Sequence, residues 1–373
     1  MALSLLEGNE AVALAAMAAG CRFFAGYPIT PATTIYNTLL KHLPPAGGVC
    51  LQGEDEIASI GYCLGASMAG LKAMTATSGP GISLYSEQIS FAIGSEIPLV
   101  IVNVQRLGPS TGSATRSADG DINFMRWGNS GGLPVIVLAP TDIKDAYLLT
   151  IEAFNLAETY RCPVFLASNK EIAMTRGSID LDAIKPPPIV DRILAPADQP
   201  YLPFAASDDA SVPAFLPIGG KTLVRQTSST HGPDGYITTD SRIIDQAQTR
   251  LLRKLETTVD HYTFYEEQPA SQTETLVITY GATARAAKTA VKELAAAGHP
   301  VHLVILKTLW PVPYNLITRK AAGAQRIVVV EQNLGQYVHE IERILPSKTV
   351  EFFGQMDGNL ITPIQIMEVL DNV

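Results

Sequence analysis

The sequence is poor in charge, and it carries little of the charge that would bind nucleic acid. Only 17% of its 373 residues are charged, and the 27 basic residues are outnumbered by 36 acidic ones. Non-specific nucleic-acid binding relies on basic patches, so a net charge of −9 argues against it. A low charge content also favours a chain that hides part of its surface in an oligomer or a larger complex.

Long hydrophobic runs and paired cysteines are missing as well. No apolar run reaches the roughly 18 residues of a membrane span, and the N-terminus MALSLLEGNE lacks the basic region of a secretory signal. The four cysteines (Cys21, Cys50, Cys63 and Cys162) form no C-x-x-C pair, which excludes a zinc ribbon or a ferredoxin-type cluster built by this chain alone. We expect a cytoplasmic protein with free, buried thiols and no membrane contact.

Several motifs that define common enzyme sites are also absent. The sequence has no G-x-G-x-x-G fingerprint, no G-x-x-x-x-G-K-[ST] phosphate loop and no G-x-S-x-G elbow. Its six histidines form no HExxH pair, so we expect no metal site of its own.

What the first half does contain is an alternation of short apolar strands with helices. Such alternation requires crossover connections, which produce a parallel sheet covered by helices on both faces. The patterns predict strands over 21–25, 49–52, 72–77, 98–104, 134–138 and 163–167, and helices over 10–20, 31–42, 55–69, 82–93 and 142–159. The fold class is therefore α/β, with residues 1–184 as a first domain.

Residues 185–268 break this alternation. Eight prolines lie between Pro186 and Pro217, which predicts an extended, irregular arm that rests on the surface of the protein. The charged run over 242–268 predicts one long helix or a helix pair. Beyond it, residues 269–373 contain strands at 276–280, 301–306 and 326–330 and a helix at 283–297, which predict a second, smaller α/β domain.

Four predicted strands of the first domain end in unusual polar or turn-like segments. Because the carboxyl ends of parallel strands share one edge of the sheet, these segments should converge on one rim. They are Gly26-Tyr27-Pro28-Ile29-Thr30-Pro31, Gln52-Gly53-Glu54-Asp55-Glu56, Thr77-Ser78-Gly79-Pro80-Gly81 and the stretch from Asn103 to Gly112.

Three residues of this rim have both a structural and a functional interpretation. Thr30 precedes a predicted helix and is either its N-cap or a hydroxyl directed at a substrate. Glu56 lies in the first turn of a helix, where it either complements the helix dipole or acts as a carboxyl with a raised pKa. Arg106 is either a surface residue at a strand end or a guanidinium that pairs with a carboxylate.

Taken in order, these segments resemble the alpha subunit of the 2-oxoacid:ferredoxin oxidoreductases, most closely the 2-oxoglutarate enzyme. In the second domain, Thr279-Tyr280-Gly281-Ala282-Thr283 and Val330-Glu331-Gln332-Asn333-Leu334-Gly335-Gln336 resemble the transketolase C-terminal-like domain of that subunit. The resemblance covers nearly the whole chain. It implies a pyrimidine-binding thiamine-diphosphate domain over 1–184, the connector over 185–268, and the transketolase C-terminal-like domain over 269–373.

The resemblance also implies an activity, cofactors and partners. The reaction is the coenzyme A-dependent oxidative decarboxylation of a 2-oxoacid, with electrons passed to iron–sulfur clusters and on to ferredoxin or a similar acceptor. A separate beta subunit supplies the diphosphate and Mg²⁺ half of the thiamine site and a [4Fe-4S] cluster, and gamma or delta subunits can be present. This chain has no cluster cysteines and no GDG…NN motif, which fits that division.

Residue roles follow from the same resemblance. Glu56 matches the glutamate that contacts the aminopyrimidine ring nitrogen, Thr30 the threonine that hydrogen-bonds substrate, and Arg106 the arginine that pairs with the substrate's 1-carboxylate. The remaining cofactor-binding positions are Pro28, Ile29, Ser78, Gly79 and Pro80.

The substrate is less sharply defined. A dicarboxylate such as 2-oxoglutarate needs a second cation, for which Arg116, Arg126 and the beta subunit are candidates. A complex of the same type that acts on a branched-chain, aryl or other 2-oxoacid is a second hypothesis. A non-catalytic scaffold is a third, which the presence of Glu56, Thr30 and Arg106 together disfavours.

Overall fold

A computed structural model describes residues 3–196, 199–270 and 273–371. Its strands are β1 (Ser4–Glu7), β2 (Cys21–Gly26), β3 (Val49–Gln52), β4 (Lys72–Thr77), β5 (Leu99–Gln105), β6 (Ile136–Leu138), β7 (Pro163–Asn169), β8 (Arg176–Ile179), β9 (Tyr265–Gln268), β10 (Thr275–Tyr280), β11 (His302–Leu306), β12 (Thr308–Trp310), β13 (Arg326–Glu331) and β14 (Thr349–Gly354). Its α-helices are α1 (Gly8–Ala18), α2 (Thr33–His42), α3 (Glu56–Met68), α4 (Gly79–Leu84), α5 (Ser86–Gly94), α6 (Ile122–Trp127), α7 (Ile143–Tyr160), α8 (Lys170–Met174), α9 (Ser241–Glu256), α10 (Thr283–Ala296), α11 (Tyr314–Ala321), α12 (Val338–Ile344) and α13 (Pro363–Asp371).

The first sheet has the strand order β12-β6-β7-β5-β4-β2-β3. Its pairings are parallel apart from that of β12 with β6. The central strand β5 is buried along its whole length, and its alternate side chains enter two different hydrophobic cores. One core holds side chains of α1, α2 and α7, and the other holds side chains of α3 and α5. The predicted α/β fold with a parallel sheet covered on both faces is confirmed.

The second sheet has the order β14-β13-β10-β11-β9 and is parallel except for the edge strand β9. Helices α10 and α13 cover one face. The side chains of the other face, such as Ile278 and Val304, belong to the same core as α3 and α5 of the first sheet. The two sheets are therefore joined by one continuous core.

Sheet pairing also crosses the predicted segment boundaries. Strand β12, from the segment 269–373, adds to the first sheet beside β6. Strand β9, from the segment 185–268, adds to the second sheet beside β11. The division into three segments remains a prediction, and the pairings join the third segment to the first and the second segment to the third.

The proline-rich arm rests on the first domain, as predicted. In the described residues between β8 and α9 the backbone forms isolated bridges, such as Leu194 with Phe215, and no longer element. The ring of Phe215 is buried, and Arg192 forms a buried ion pair of 2.6 Å with Glu158 of α7. Residues 197–198 of the predicted arm lie outside the described residues.

The prediction of a helix or helix pair over 242–268 is wrong at its C-terminal end. Helix α9 stops at Glu256, a 3-10 turn covers Val259–Tyr262, and Tyr265–Gln268 is strand β9. The β-branched residues that follow α9 (Thr257, Thr258 and Val259) lose side-chain freedom in a helix, which favours its end there.

Two smaller predictions are also corrected. The helix expected from Pro31 begins at Thr33, with Ala32 as its N-cap, so Thr30 does not cap it. The helix expected over 82–93 is two helices, α4 and α5, that meet at Tyr85. The buried hydroxyl of Tyr85 lies 2.8 Å from Thr75 Oγ1, and this contact anchors the break to β4.

Candidate functional site

The four polar segments lie side by side along one edge of the first sheet. They follow β5, β4, β2 and β3, which are neighbours in the sheet and run parallel. Cross-contacts join them: the Arg106 guanidinium donates to the Thr30 carbonyl, and the Glu56 carboxylate packs against Gly81. The strand order thus brings Glu56, Thr30 and Arg106 to a single rim.

Glu56 is the first residue of α3 and is only 7% exposed. The side chain of Asp55 caps the helix by accepting a hydrogen bond of 2.7 Å from Ala58 N, so Glu56 is not needed as a cap. Among the described residues, none donates a hydrogen bond to the Glu56 carboxylate. It is therefore a sheltered carboxyl whose oxygens are available to a ligand.

A glycine makes room for this carboxyl. A Cβ placed on Gly81 would lie 2.7 Å from Glu56 Oε1, well inside van der Waals contact, and would also collide with the Thr77 side chain. The absent side chain at Gly81 therefore determines where the Glu56 carboxylate can lie.

The Ser78-Gly79-Pro80 loop begins α4 next to Glu56. Ser78 is the N-cap residue and is fully buried, and its hydroxyl has no hydrogen-bond partner among the described residues. A Cβ on Gly79 would lie 3.4 Å from Asp121 Oδ2. The loop thus contains a buried, unpartnered hydroxyl at the start of α4, close to the half-buried Asp121 carboxylate.

Arg106 is held by main-chain carbonyls. It is 6% exposed, and besides its bond to Thr30 it donates from Nη2 to the Thr111 carbonyl at 2.9 Å. Burial lowers the pKa of Arg106, and the nearby Asp121 partly offsets this effect. The buried Nε has no partner among the described residues, so the guanidinium is fixed in place while keeping donor capacity.

Thr30 is exposed, and Pro28 and Ile29 are half-buried beside it. The turn that carries them is tied down from α1, because Asn9 Nδ2 donates to the Pro31 carbonyl at 2.7 Å. The Thr30 hydroxyl therefore stands on a fixed turn at the open side of the rim.

The two arginines considered for a second substrate carboxylate lie in different surroundings. Arg116 is exposed, on the loop that follows Arg106, and its side chain packs against Gly358 of the second domain. Arg126 is 9% exposed, donates to the carbonyls of Gly132 and Leu133 at 3.2–3.3 Å and stacks on Trp127. Arg116 thus lies near the rim, whereas the guanidinium of Arg126 is already hydrogen-bonded to the loop that follows α6.

Two carboxyls beside the rim, the half-buried Asp121 and the buried Asp119, were not predicted. Asp121 accepts a hydrogen bond of 3.0 Å from Asn103, and burial raises its pKa. Asp119 is 2% exposed, and burial, with the charges of Asp121 and Glu331, raises its pKa to about 7 although Asn169 hydrogen-bonds it. The sequence signal that could have indicated these carboxyls is the pair Asn103 and Gln105, two polar residues in the otherwise apolar strand β5.

None of the helices in the described ranges combines the length and the apolar character needed to cross a membrane.

Two family models match the chain. The model described as pyruvate flavodoxin/ferredoxin oxidoreductase, thiamine diphosphate-binding, matches residues 14–249. The model described as pyruvate:ferredoxin oxidoreductase core domain II matches residues 273–366.

Three of the curated relatives match over nearly their whole length. The chain is 39% identical over 371 residues to the 2-oxoglutarate synthase subunit KorA of Methanocaldococcus jannaschii, covering 98% of each chain. It is 37% identical to the KorA subunit of Archaeoglobus fulgidus, covering 100% of this chain and 99% of that one. It is 32% identical to the ketoisovalerate oxidoreductase subunit VorB of Methanothermobacter thermautotrophicus, covering 100% of this chain and 98% of that one.

One solved structure shows the same relationship, and a second shows the fold alone. A 2-oxoglutarate:ferredoxin oxidoreductase from Magnetococcus marinus, with 2-oxoglutarate, coenzyme A and succinyl-CoA bound, superposes with a TM-score of 0.92 at 31% identity. The match covers 99% of this chain and 64% of that longer one. A split-gene transketolase superposes with a TM-score of 0.57 at 12% identity, which shows a shared fold.

Proposed function

Because the chain belongs to the pyruvate flavodoxin/ferredoxin oxidoreductase family, we propose that it is the alpha subunit of a thiamine-diphosphate-dependent 2-oxoglutarate:ferredoxin oxidoreductase. The reaction is the oxidative decarboxylation of 2-oxoglutarate to succinyl-CoA. The observation that carries the proposal is the Glu56 carboxyl, sheltered against Gly81 and free of protein hydrogen bonds within the described residues, on one rim with Arg106 and Thr30.

The rim fits the aminopyrimidine half of thiamine diphosphate. When bound, this cofactor supplies the electron sink for cleavage of the bond to the leaving carboxylate. Glu56 would hold a proton at the pyrimidine ring nitrogen, a role that suits a carboxyl shielded from water. Ser78, with its unpartnered hydroxyl, and the Gly79-Pro80 backbone would line the ring, together with Pro28 and Ile29.

The substrate contacts follow from charge and position. Arg106 would orient the 1-carboxylate by its remaining guanidinium donors, since two of its nitrogens are already held by the carbonyls of Thr30 and Thr111. The Thr30 hydroxyl would donate to the substrate oxygen. Arg116, exposed near the rim, is our candidate for binding the second carboxylate of the substrate. Arg126 is the less favoured candidate, because its guanidinium already donates hydrogen bonds to main-chain carbonyls.

The rest of the site would come from a beta subunit, which we propose also holds Mg²⁺ and the [4Fe-4S] cluster. The relatives are named as subunits, which supports an assembly. Exposed apolar side chains next to Glu56 support a partner here: Leu51 on the edge strand β3 is 40% exposed, Ile57 49% and Leu84 46%. We place the complex in the cytoplasm, where the four unpaired cysteines would stay reduced.

A branched-chain 2-oxoacid is the second candidate substrate. The observation in its favour is the full-length similarity at 32% identity to the ketoisovalerate oxidoreductase subunit. The same rim serves both reactions, because the difference lies in the group beyond the 2-oxo carbon.

The test is anaerobic purification of the tagged chain from its own cells. We expect a brown complex with a cysteine-rich partner that reduces viologen with 2-oxoglutarate and coenzyme A. Glu56→Gln should abolish turnover and leave assembly intact, because the amide cannot hold the required proton. A brown complex that prefers 3-methyl-2-oxobutanoate selects the second candidate, and turnover retained by Glu56→Gln contradicts the role of Glu56.

A further inference from the structure

A short segment of the second domain reaches across to the candidate site. Residues Gln332–Gln336 follow β13, and three of them bind the backbone of residues 117–123. The Gln332 carbonyl accepts from Asp119 N at 2.8 Å, and its Nε2 donates to the Ser117 carbonyl at 3.4 Å. Asn333 Nδ2 donates to the Asp119 carbonyl at 2.9 Å. Gln336 accepts from Asn123 N at 2.8 Å and donates to the Gly120 carbonyl.

This segment is itself rigidly built. Glu331 is 1% exposed, and its carboxylate accepts hydrogen bonds from Tyr280 Oη at 2.7 Å, Asn333 Nδ2 at 3.0 Å and the main-chain nitrogens of Tyr337 and Val338 at 2.8–2.9 Å. Asn333 Oδ1 in turn accepts from the main-chain nitrogen of Gln336 at 3.1 Å. A buried carboxylate that accepts four hydrogen bonds holds Asn333 and the start of α12 in one arrangement.

The backbone that Gln332, Asn333 and Gln336 bind belongs to the C-terminal end of the loop 107–121, which follows Arg106. Within the loop, Leu107 N donates to the Arg116 carbonyl and Ser113 N to the Leu107 carbonyl, each at 2.9 Å. The N-terminal part of the loop is held by Arg106, whose Nη2 donates to the Thr111 carbonyl at 2.9 Å. The loop 107–121 is therefore fixed at one end by Arg106 and at the other by the second domain.

We infer that Gln332, Asn333 and Gln336 are positioning residues for the substrate-binding loop 107–121. The inference rests on the proposed function, because it assigns the second domain a part in substrate binding. These side chains bind main-chain groups of the loop, so they act through the loop and not on the substrate. Displacing the loop moves Thr111 and with it the Arg106 guanidinium, so the affinity for the 2-oxoacid carboxylate should fall before the chemistry does.

Gln336→Met in the assembled enzyme tests this inference. Gln336 is half-buried, and Met matches its length while removing its hydrogen bond to Gly120 of the loop and the one from Asn123 N, in the first turn of α6 just beyond the loop. Loss of two such bonds should raise KM for the 2-oxoacid about tenfold and change kcat little. Gln336→Glu keeps an acceptor for Asn123 N but places a second carboxylate oxygen against the Gly120 carbonyl, so KM should stay raised because the bond to the loop is not restored. The matched control is Gln325→Met, which removes a bond of 2.8 Å to Glu274 elsewhere in the second domain and should leave KM unchanged.

Hydrogen–deuterium exchange of the same complexes gives a readout that does not depend on activity. The amides of Leu107, Ser113 and Arg116 should exchange faster in Gln336→Met than in the wild type or in Gln325→Met. Unchanged exchange together with unchanged KM would overturn the inference and leave the proposed function standing. A wild-type complex that oxidises no 2-oxoacid would contradict the proposed function, and the exchange result would then decide whether the second domain holds the loop.

Discussion

At the scale of single residues, the site depends on Gly81 as much as on Glu56. Gly81→Ala would place a methyl group 2.7 Å from Glu56 Oε1, so the carboxylate must move. A displacement of about 1 Å in a proton-holding group can cost about 10²-fold in rate, and we expect a loss of that size in kcat. Steady-state viologen reduction by the assembled enzyme measures it.

Gly65→Ala is the matched control for this substitution. Gly65 lies on α3, the helix that begins with Glu56, and a Cβ there meets no atom within 4 Å. Alanine in a helix is favoured over glycine by about 0.5–1 kcal/mol, so Gly65→Ala should retain activity and gain slightly in thermal stability. Equal activity of the two variants would show that Gly81 does not fix the Glu56 carboxylate.

At the scale of elements, helix α9 is fastened to the first domain by a buried cluster of charges. Glu96 is fully buried and is bound by Arg250 at 2.5 Å and Lys254 at 2.9 Å, both from α9. Burial alone would raise the pKa of Glu96, but Lys254 and Arg250 outweigh it and lower that pKa below its usual range. The carboxylate therefore stabilises the fold above its unfolded pKa, and this contribution is lost only as the pH falls through the lowered value.

Glu96→Gln should destabilise the protein strongly, because it leaves Lys254 and Arg250 buried without a counter-charge. The expected loss is about 3–5 kcal/mol in the free energy of unfolding, measured by urea denaturation. The control is Asp209→Asn, which breaks the exposed pair with Arg253 and should cost less than about 1 kcal/mol. Similar losses for both variants would mean that the buried cluster does not hold α9.

The elements that the sequence predicted well are those with a strong local signal. Strand β4 was predicted with its observed bounds, and Asp55 caps α3 where the helix was expected to begin. Strand β9 carried no such signal, because Tyr-Glu-Glu-Gln becomes a strand only by pairing with β11, more than 30 residues away. Of the site, the convergence of the four polar segments on one rim could be predicted, because parallel strands end at the same edge of a sheet. The hydrogen bond from Gln336 to the Gly120 carbonyl could not, because it joins residues 216 positions apart and no local sequence pattern indicates it.

At the scale of the whole molecule, the carboxyl edges of the two sheets meet at Asp119. Asn169, at the end of β7, donates to Asp119 Oδ1 at 2.8 Å, while a Cβ on Gly281, just beyond β10, would lie 2.9 Å from Oδ2. That second oxygen is buried and has no hydrogen-bond partner in the described part of the chain. A carboxyl placed between two domains in this way makes their association depend on its proton.

Asp119→Asn should therefore stabilise the protein more at pH 8 than at pH 5. The folded-state pKa is raised to about 7, so the folded form binds the proton more tightly than the unfolded form, and wild-type stability falls as the pH rises towards that value. Asparagine carries no charge to bury, and each unit of pKa shift is worth about 1.4 kcal/mol. Over the roughly two units from pH 5 to the folded-state pKa, its advantage should therefore grow by about 3 kcal/mol. Thermal unfolding at both pH values measures this difference. Asp182→Asn is the control, because it removes the same charge from an exposed position. It shows how much of the stability difference comes from the change in net charge alone. An advantage that does not change with pH would show that Asp119 is ionised in the folded protein throughout, and that the interface between the sheets tolerates its charge.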